Sequence, residues 1–216
     1  MKERVIEILM KKAKKRGYKY IIGVDEAGRG PLAGPVAVGA VMVPADFSKR
    51  FFRGIKDSKR LKKELRESWF SKLSSLDKSI ICFSVSFVGA SLIDRRGIAP
   101  AVRLAVGRCL KKLKADPKEC LVLLDGSLKA PKKFIFQKTI IRGDDIEPVI
   151  SMASIVAKVK RDRKMVRIAK SYPKYGFEKH KGYGTKSHCR AIKKHGPCEM
   201  HRRSFIKNLQ KPRVSV

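Results

Sequence analysis

Acidic residues are scarce in this chain: 19 Asp and Glu stand against 52 Lys and Arg in 216 residues, a formal net charge of +33. Like charges at that density repel one another and favour a polyanionic partner, nucleic acid first. Long apolar runs are missing as well. No stretch approaches the ~18 consecutive apolar residues of a membrane-spanning helix. The best candidate, Ile80 to Val88, is short and broken by serines, so no membrane association is expected. Cysteine is limited to Cys82, Cys109, Cys120, Cys189 and Cys198, an odd set without a C-x-x-C pair. A disulfide framework is therefore not expected, and free thiols suit a reducing cytoplasm. The N-terminus lacks a clean apolar stretch and carries Glu3 and Glu7. It reads as neither a secretory signal nor an acid-poor transit peptide. Internal repeats and low-complexity tracts are also absent.

What is present suits one ordinary domain with a small appendage. Apolar residues make up 43% of the chain, and at this length about 70–75% of the unfolded surface can be buried without staples. Residues 1–19 read as a basic amphipathic helix and its exit. Short β-rich runs at Tyr20–Val24, Val36–Val43, Ser79–Val88, Cys120–Leu124 and Phe134–Ile141 predict strands. Helical spacing predicts helices over Lys59–Leu76, with Asp57 and Ser58 as caps, and over Ala99–Leu113, Glu147–Ala169 and Thr185–Lys194. Three early strands followed by alternating helix and strand predict an α/β fold with a mixed sheet over 20–172. A Gly- and Lys-rich helical extension follows over 173–216. Residues 151–216 hold 19 basic and 3 acidic residues, more than twice the net positive charge per residue of the first 150.

Four carboxylates stand out by position. Asp25 and Glu26 end the first strand before a glycine-rich turn, Asp125 ends a later strand, and Asp144 follows Gly143 at the start of the long helix. Side chains just past strand ends line a common crevice in open α/β sheets. Clustered carboxylates repel one another and suit hard cations with oxygen ligands. Two Mg²⁺ or Mn²⁺ ions there would activate a water and stabilise the leaving oxygen of a phosphodiester. Simpler readings stand beside this one: Asp125-Gly126 is a common turn pair, and Asp144 with Glu147 resembles a helix cap with its reciprocal partner.

Seven ordered blocks then narrow the reading. They are Ile22-Gly-Val-Asp-Glu-Ala-Gly-Arg-Gly-Pro-Leu-Ala-Gly-Pro35; Asp57-Ser-Lys59; Leu123-Leu-Asp-Gly126; Gly143-Asp144; Met152-Ala-Ser-Ile-Val-Ala-Lys-Val159 with Arg161-Asp162; Lys181-Gly-Tyr-Gly-Thr185; and Gly196-Pro197 with His201-Arg-Arg-Ser-Phe205. Together they resemble the type 2 ribonucleases H, specifically the ribonuclease HII family, over about residues 20–205. The sister ribonuclease HIII has a different opening motif and an N-terminal substrate-binding domain, for which a first strand near Tyr20 leaves no room.

The resemblance implies an RNase H-like fold: a five-stranded mixed sheet flanked by helices, with a C-terminal helical extension contacting nucleic acid. It implies a two-metal endoribonuclease that hydrolyses the RNA strand of RNA–DNA hybrids. It also implies incision 5′ to single ribonucleotides embedded in duplex DNA, leaving 5′-phosphate and 3′-hydroxyl ends. Asp25, Glu26, Asp125 and Asp144 would hold Mn²⁺ or Mg²⁺, with Asp145 and the more distant Asp162 as alternatives for the last position. Gly28, Arg29, Gly30 and Tyr183 would contact the sugar at the RNA–DNA junction. Lys59, Ser154, Lys158 and Lys181 would lie near the scissile strand, and Arg202 and Arg203 would contact phosphates. A monomer is the default expectation. The rival reading is a non-catalytic basic nucleic-acid-binding protein. His180, His188, His195 and His201 crowd together with Cys189 and Cys198, but the spacing lacks the paired ligands of a zinc site.

Overall fold

The computed structural model describes residues 15–48, 51, 55, 61–77 and 79–209. The helix expected at the N-terminus (apart from its last two residues), the Asp57 and Ser58 caps and Lys59 lie outside the described residues. Five strands form one mixed sheet: β1 (Tyr20–Ala27), β2 (Val36–Pro44), β3 (Cys82–Val88), β4 (Cys120–Asp125) and β5 (Gln137–Ile140), in the order β3-β2-β1-β4-β5. β1 pairs antiparallel with β2, and β2 with β3, whereas β1–β4 and β4–β5 are parallel. The helices are α1 (Lys63–Ser75), α2 (Ala90–Arg96), α3 (Ile98–Lys112), α4 (Gly143–Ile146), α5 (Pro148–Ser171), α6 (Phe177–His180) and α7 (Lys186–His195). This is the expected five-stranded α/β architecture. Among the described residues no helix is long and apolar enough to cross a membrane, and the five cysteines are free.

Alternation along the strands splits the core between the two sheet faces. Ile21, Val41, Val43 and Leu123 pack with Phe70 and Leu73 of α1 and Ile150, Ala153 and Val156 of α5. Ile22, Val24, Val38, Ala40, Val122 and Leu124 face Val102, Val106 and Leu110 of α3. Central strands covered on both faces read as near-continuous apolar runs, which is why the sequence marks β1, β2 and β4 so clearly.

Several boundaries differ from expectation; β3, for instance, starts at Cys82 rather than Ser79. β1 continues through Asp25 and Glu26, because both stay paired with β2, opposite Gly39 and Val38. The helix expected from Ala99 is preceded by the separate α2, and Gly97 at φ 81° makes the break between them. The strand expected over Phe134–Ile141 shrinks to Gln137–Ile140, while Phe134 is buried from a turn. Asp144 does not open the long helix: it sits in the one-turn α4, and α5 starts afresh at Pro148, whose missing N–H is harmless at a helix start.

Helix α5 lies unusually close to the sheet. A Cβ on Gly23 would stand 2.2 Å from the Val149 carbonyl oxygen, and one on Gly39 would stand 2.4 Å from that of Ala153. Backbone there meets backbone, so no side-chain rotation relieves the clash. Gly39→Ala is expected to destabilise the protein by about 1–3 kcal/mol or more, as overpacking does. Gly107→Ala, inside α3 with its nearest neighbour at an ordinary 3.6 Å, is expected to stabilise by up to about 1 kcal/mol through helix propensity. Denaturant midpoints of the two variants check this, and equal shifts would contradict the close-approach argument.

Candidate active site

Residues two apart in a strand share a face. Gly23 and Asp25 of β1 therefore face α5, as do Leu123 and Asp125 of β4. The parallel register pairs Gly23 with Leu123 and Val24 with Leu124. Carried one residue further, it sets Asp25 beside Asp125. Asp144 arrives from α4, just beyond the neighbouring β5. Carboxylate oxygens of Asp25, Asp125 and Asp144 all lie within 4.8 Å of one another, and all three residues are buried. They are the only such group of potential ligands among the described residues.

Local structure holds the third member in place. The Gly143 N–H donates to Asp125 Oδ1 at 2.7 Å. A Cβ on Gly143 would come within 2.6 Å of Ile150 Cδ1, so a larger residue there would push the Ile150 side chain aside. Arg142 turns the chain into α4 through a left-handed conformation, φ 55°. The Ser151 hydroxyl, from the first turn of α5, donates to the Asp144 carbonyl. The neighbouring candidates are engaged elsewhere: Asp145 pairs with Arg142 at 3.1 Å and Asp162 with Lys158 at 2.9 Å. Glu26 falls outside the triad. One residue on from Asp25, it faces the other side of the sheet, and its carboxylate meets Arg29 at 3.4 Å.

The glycine-rich segment after β1 forms a second cluster. Gly28 is buried at φ 87°, whereas Arg29 and Gly30 are exposed. The Leu32 and Ala33 N–H groups donate to the Gly182 carbonyl at 2.8 and 3.3 Å, and the Gly34 N–H donates to that of Met200. Gly182 permits this approach, since a Cβ there would lie 2.3 Å from the Ala33 oxygen. The loop and Tyr183 therefore belong to one packed unit. Tyr183 is 42% exposed, with Lys158 Nζ and Arg161 Cζ each 5.8 Å from its ring centre. Lys181 folds back so that its ammonium donates to the Glu178 carbonyl. Burial lowers its pKa. Ser154 is buried on α5.

Arg202, expected among phosphate contacts, is instead fully buried beneath the loop. Arg203 is exposed, its N–H donating to Asp94. The histidines are structural supports. Cys198 N–H donates to His201 Nδ1 at 3.0 Å, which leaves His201 Nε2–H to donate to His188 Nε2 at 3.1 Å; His188 Nδ1–H then donates to the Tyr183 carbonyl at 2.8 Å. This chain needs both rings neutral, since a proton on either puts two N–H groups face to face. Cys198 and His188 also address different nitrogens of His201, which is not the geometry of a shared metal.

A mixed sheet carrying buried aspartates on adjacent parallel strands defines an RNase H-like hydrolase. The ribonuclease HII family model matches residues 22–208. Ribonuclease HII of Caldicellulosiruptor bescii is 47% identical over 89% of this chain and 89% of its own. The crystal structure of ribonuclease H2 from Pyrococcus horikoshii OT3 superposes with a TM-score of 0.66 at 26% identity, covering 89% of this chain and 100% of that one. RNase HII from the Archaeoglobus fulgidus PCNA complex has the same fold, with a TM-score of 0.69 at 22% identity, covering 91% of this chain and 97% of that one. The chain belongs to the ribonuclease HII family. It is a ribonuclease H enzyme, acting on RNA–DNA hybrids.

Burial pulls the pKa of His188 down to about 4, assisted by His180 and His201, and lowers that of His201 as well. A histidine with a depressed folded pKa binds fewer protons folded than unfolded. Its contribution is complete above the ordinary value of 6.5 and is lost as pH falls toward about 4. Thermal unfolding between pH 7 and pH 5 should show a falling midpoint. The fall should be shallower in a His188→Gln/His201→Gln variant; equal slopes would refute the neutral-pair assignment.

Proposed function

We propose that this enzyme cuts the RNA strand endonucleolytically and also incises 5′ to a single ribonucleotide embedded in duplex DNA, leaving 5′-phosphate and 3′-hydroxyl ends. Asp25, Asp125 and Asp144, joined by Glu26, hold two divalent cations, Mg²⁺ or Mn²⁺. The observation that carries this reading is the buried aspartate triad, with oxygens within 4.8 Å in a chain of net charge +33. Three like-charged oxygen donors so close together suit a hard cation and little else. When bound, such ions activate a water for attack at phosphorus and neutralise charge on the departing 3′-oxygen.

The chain's own residues set up that chemistry. Strand register aligns Asp25 with Asp125, while Gly143 and Ser151 hold Asp144 against them. Glu26 joins by leaving Arg29 and swinging its side chain around the end of β1 to the face that carries the triad. That half-exposed pair is worth little, so the exchange is cheap, and it frees Arg29 for a phosphate. The Gly28–Gly30 backbone meets the ribose 2′-hydroxyl, the group that separates RNA from DNA at a given site. Tyr183 presents its exposed ring to the sugar at the RNA–DNA junction. Lys158, beside that ring, lies near the scissile strand together with Lys181 and Ser154, and Lys59 is assigned a phosphate contact. Residues 173–216 act as a nucleic-acid-contacting extension of a catalytic domain spanning 20–172, behind an N-terminal basic segment over 1–19. The remaining positive charge supplies salt-sensitive, sequence-independent affinity. The enzyme works as a cytoplasmic monomer.

A duplex DNA carrying one ribonucleotide tests this. Incision should require Mg²⁺ or Mn²⁺ and stop with EDTA; metal-independent cutting, or none with either ion, would refute the reading. Asp125→Asn should lower the rate by roughly 10³-fold or more, while duplex binding is retained or tightened. Tyr183→Ala should lose single-ribonucleotide incision by about tenfold more than cleavage of a long hybrid. Equal losses on the two substrates would remove Tyr183 from the junction-reading role.

A further inference from the structure

Behind the Gly28–Pro35 loop lie two guanidinium groups that the catalytic reading leaves unused. Arg161, on α5, and Arg202, after α7, are both 0% exposed. Arg202 donates from Nη2 to the Gly28 carbonyl at 2.7 Å, from Nη1 to that of Arg29 at 2.8 Å, and from Nε to that of Gly34 at 3.0 Å. Arg161 donates from Nε to the Pro35 carbonyl at 2.9 Å and from Nη2 to that of Lys181 at 3.1 Å, with the Ala33 carbonyl at 3.5 Å. Gly28 is pressed against it, since a Cβ there would lie 1.8 Å from Arg161 Nε. Among the described residues neither arginine forms an ion pair with a carboxylate, and Arg161 Nη1 has no hydrogen-bond partner at all.

Burying two cations side by side without a counter-charge is costly. Burial first, and then repulsion from Arg161, pulls the pKa of Arg202 down to about 9, which still leaves it charged at neutral pH. What the pair provides is geometry. A rigid fork holds three carbonyls of one loop, which a lysine's single ammonium cannot reproduce.

In a trans peptide the C=O and N–H point in opposite directions. The Gly28 carbonyl shares its peptide plane with the Arg29 N–H, and the Arg29 carbonyl shares its plane with the Gly30 N–H. With both oxygens drawn inward by Arg202, both N–H groups point outward, at residues that are exposed. Successive N–H groups facing one way form a concavity for an oxygen atom, here backed by two buried positive charges. Arg161 ties the same unit to Lys181, two residues from Tyr183.

We propose that Arg161 and Arg202 are positioning residues for ribonucleotide selection. They fix the peptide planes of Gly28, Arg29 and Gly30 so that two N–H groups meet the sugar of the nucleotide to be cut, at a set distance from the Tyr183 ring. This rests on the reading of the loop as the sugar-binding element.

The test compares wild type, Arg202→Lys and Arg161→Lys on a duplex with one ribonucleotide, on a long RNA–DNA hybrid and on all-DNA duplex, with thermal unfolding and Mn²⁺ titration alongside. For the folded variants, kcat on the single-ribonucleotide substrate should fall roughly 10–100-fold with KM changed less than about threefold. The ratio to long-hybrid cleavage should fall at least about fivefold, with Mn²⁺ binding unchanged. Equal losses on both cleavable substrates, or an unchanged ratio, would overturn the proposal. If the lysine variants fail to fold, Gly28→Ala displaces the Arg161 guanidinium without deleting it, and an unchanged ratio there would likewise overturn it. A wild type that cuts the single-ribonucleotide duplex no faster than all-DNA would instead refute the sugar-binding reading itself.

Discussion

The contact between α5 and the middle of the sheet sets the position of nearly every group of interest. Gly23 and Gly39 let the helix backbone settle against β1 and β2 at a distance no side chain would permit. From that fixed position, successive turns of one helix reach separate parts of the site. Ser151 holds the Asp144 backbone, Lys158 stands beside the Tyr183 ring, and Arg161 passes under the glycine-rich loop. A helix displaced by even one ångström would misplace all three together. Interiors packed to crystal-like density transmit such shifts rather than absorb them.

Charge is used in two opposite ways around the C-terminal end of β1. At the carboxylate end three like-charged acids are held together, with the sheet register and α4 preventing them from separating. Beneath the following loop two like-charged arginines are held together by main-chain carbonyls. Neither cluster is neutralised by the other. A folded chain keeps such arrangements when surrounding structure over-determines them. Here the surroundings are the paired strands on one side and the hydrogen-bonded Ala33–Gly182 and Gly34–Met200 contacts on the other.

Much of this was legible from residue order. β1, β2 and β4 are continuous apolar runs, and Asp25, Asp125 and Asp144 each follow such a run or a glycine at its end. Their convergence needed three dimensions, because register and strand order decide which strand ends meet. Glu26 shows the limit: adjacency in sequence to Asp25 reads as partnership, yet alternation along a strand sends the two side chains to opposite faces. Asp144 read as a helix start because Gly143 and Pro148 are separated by only four residues, too few for sequence periodicity to reveal a separate turn. Arg202 was misleading for another reason, and Arg161 drew no separate reading. In a chain with 52 basic residues, an arginine reads as surface. The usable signal for Arg161 was its place on the stripe Ile150, Ser154, Ala157, Arg161, Met165, an otherwise small and apolar helix face.

The same contacts bear on the C-terminal segment. By composition, residues beyond 172 look like a basic appendage added to a finished domain. In the structure His201 bridges to Ala33, the Arg202 N–H donates to the Leu32 carbonyl, and Ala33 packs with Met165, Tyr175 and Phe177. The glycine-rich loop that follows the first strand is therefore completed by a segment more than 160 residues further along the chain. Loop closure over so many residues is entropically expensive but grows only slowly with length, so the cost exceeds that of a local loop by little. What it secures is a loop whose Gly28, Arg29, Leu32, Gly34 and Pro35 carbonyls accept from groups distant in sequence. A short local turn has no such donors to draw on: its own side chains are too close to reach around to the buried side. The proposed selection of a sugar by two main-chain N–H groups requires that orientation, and Arg202, distant in sequence, supplies it.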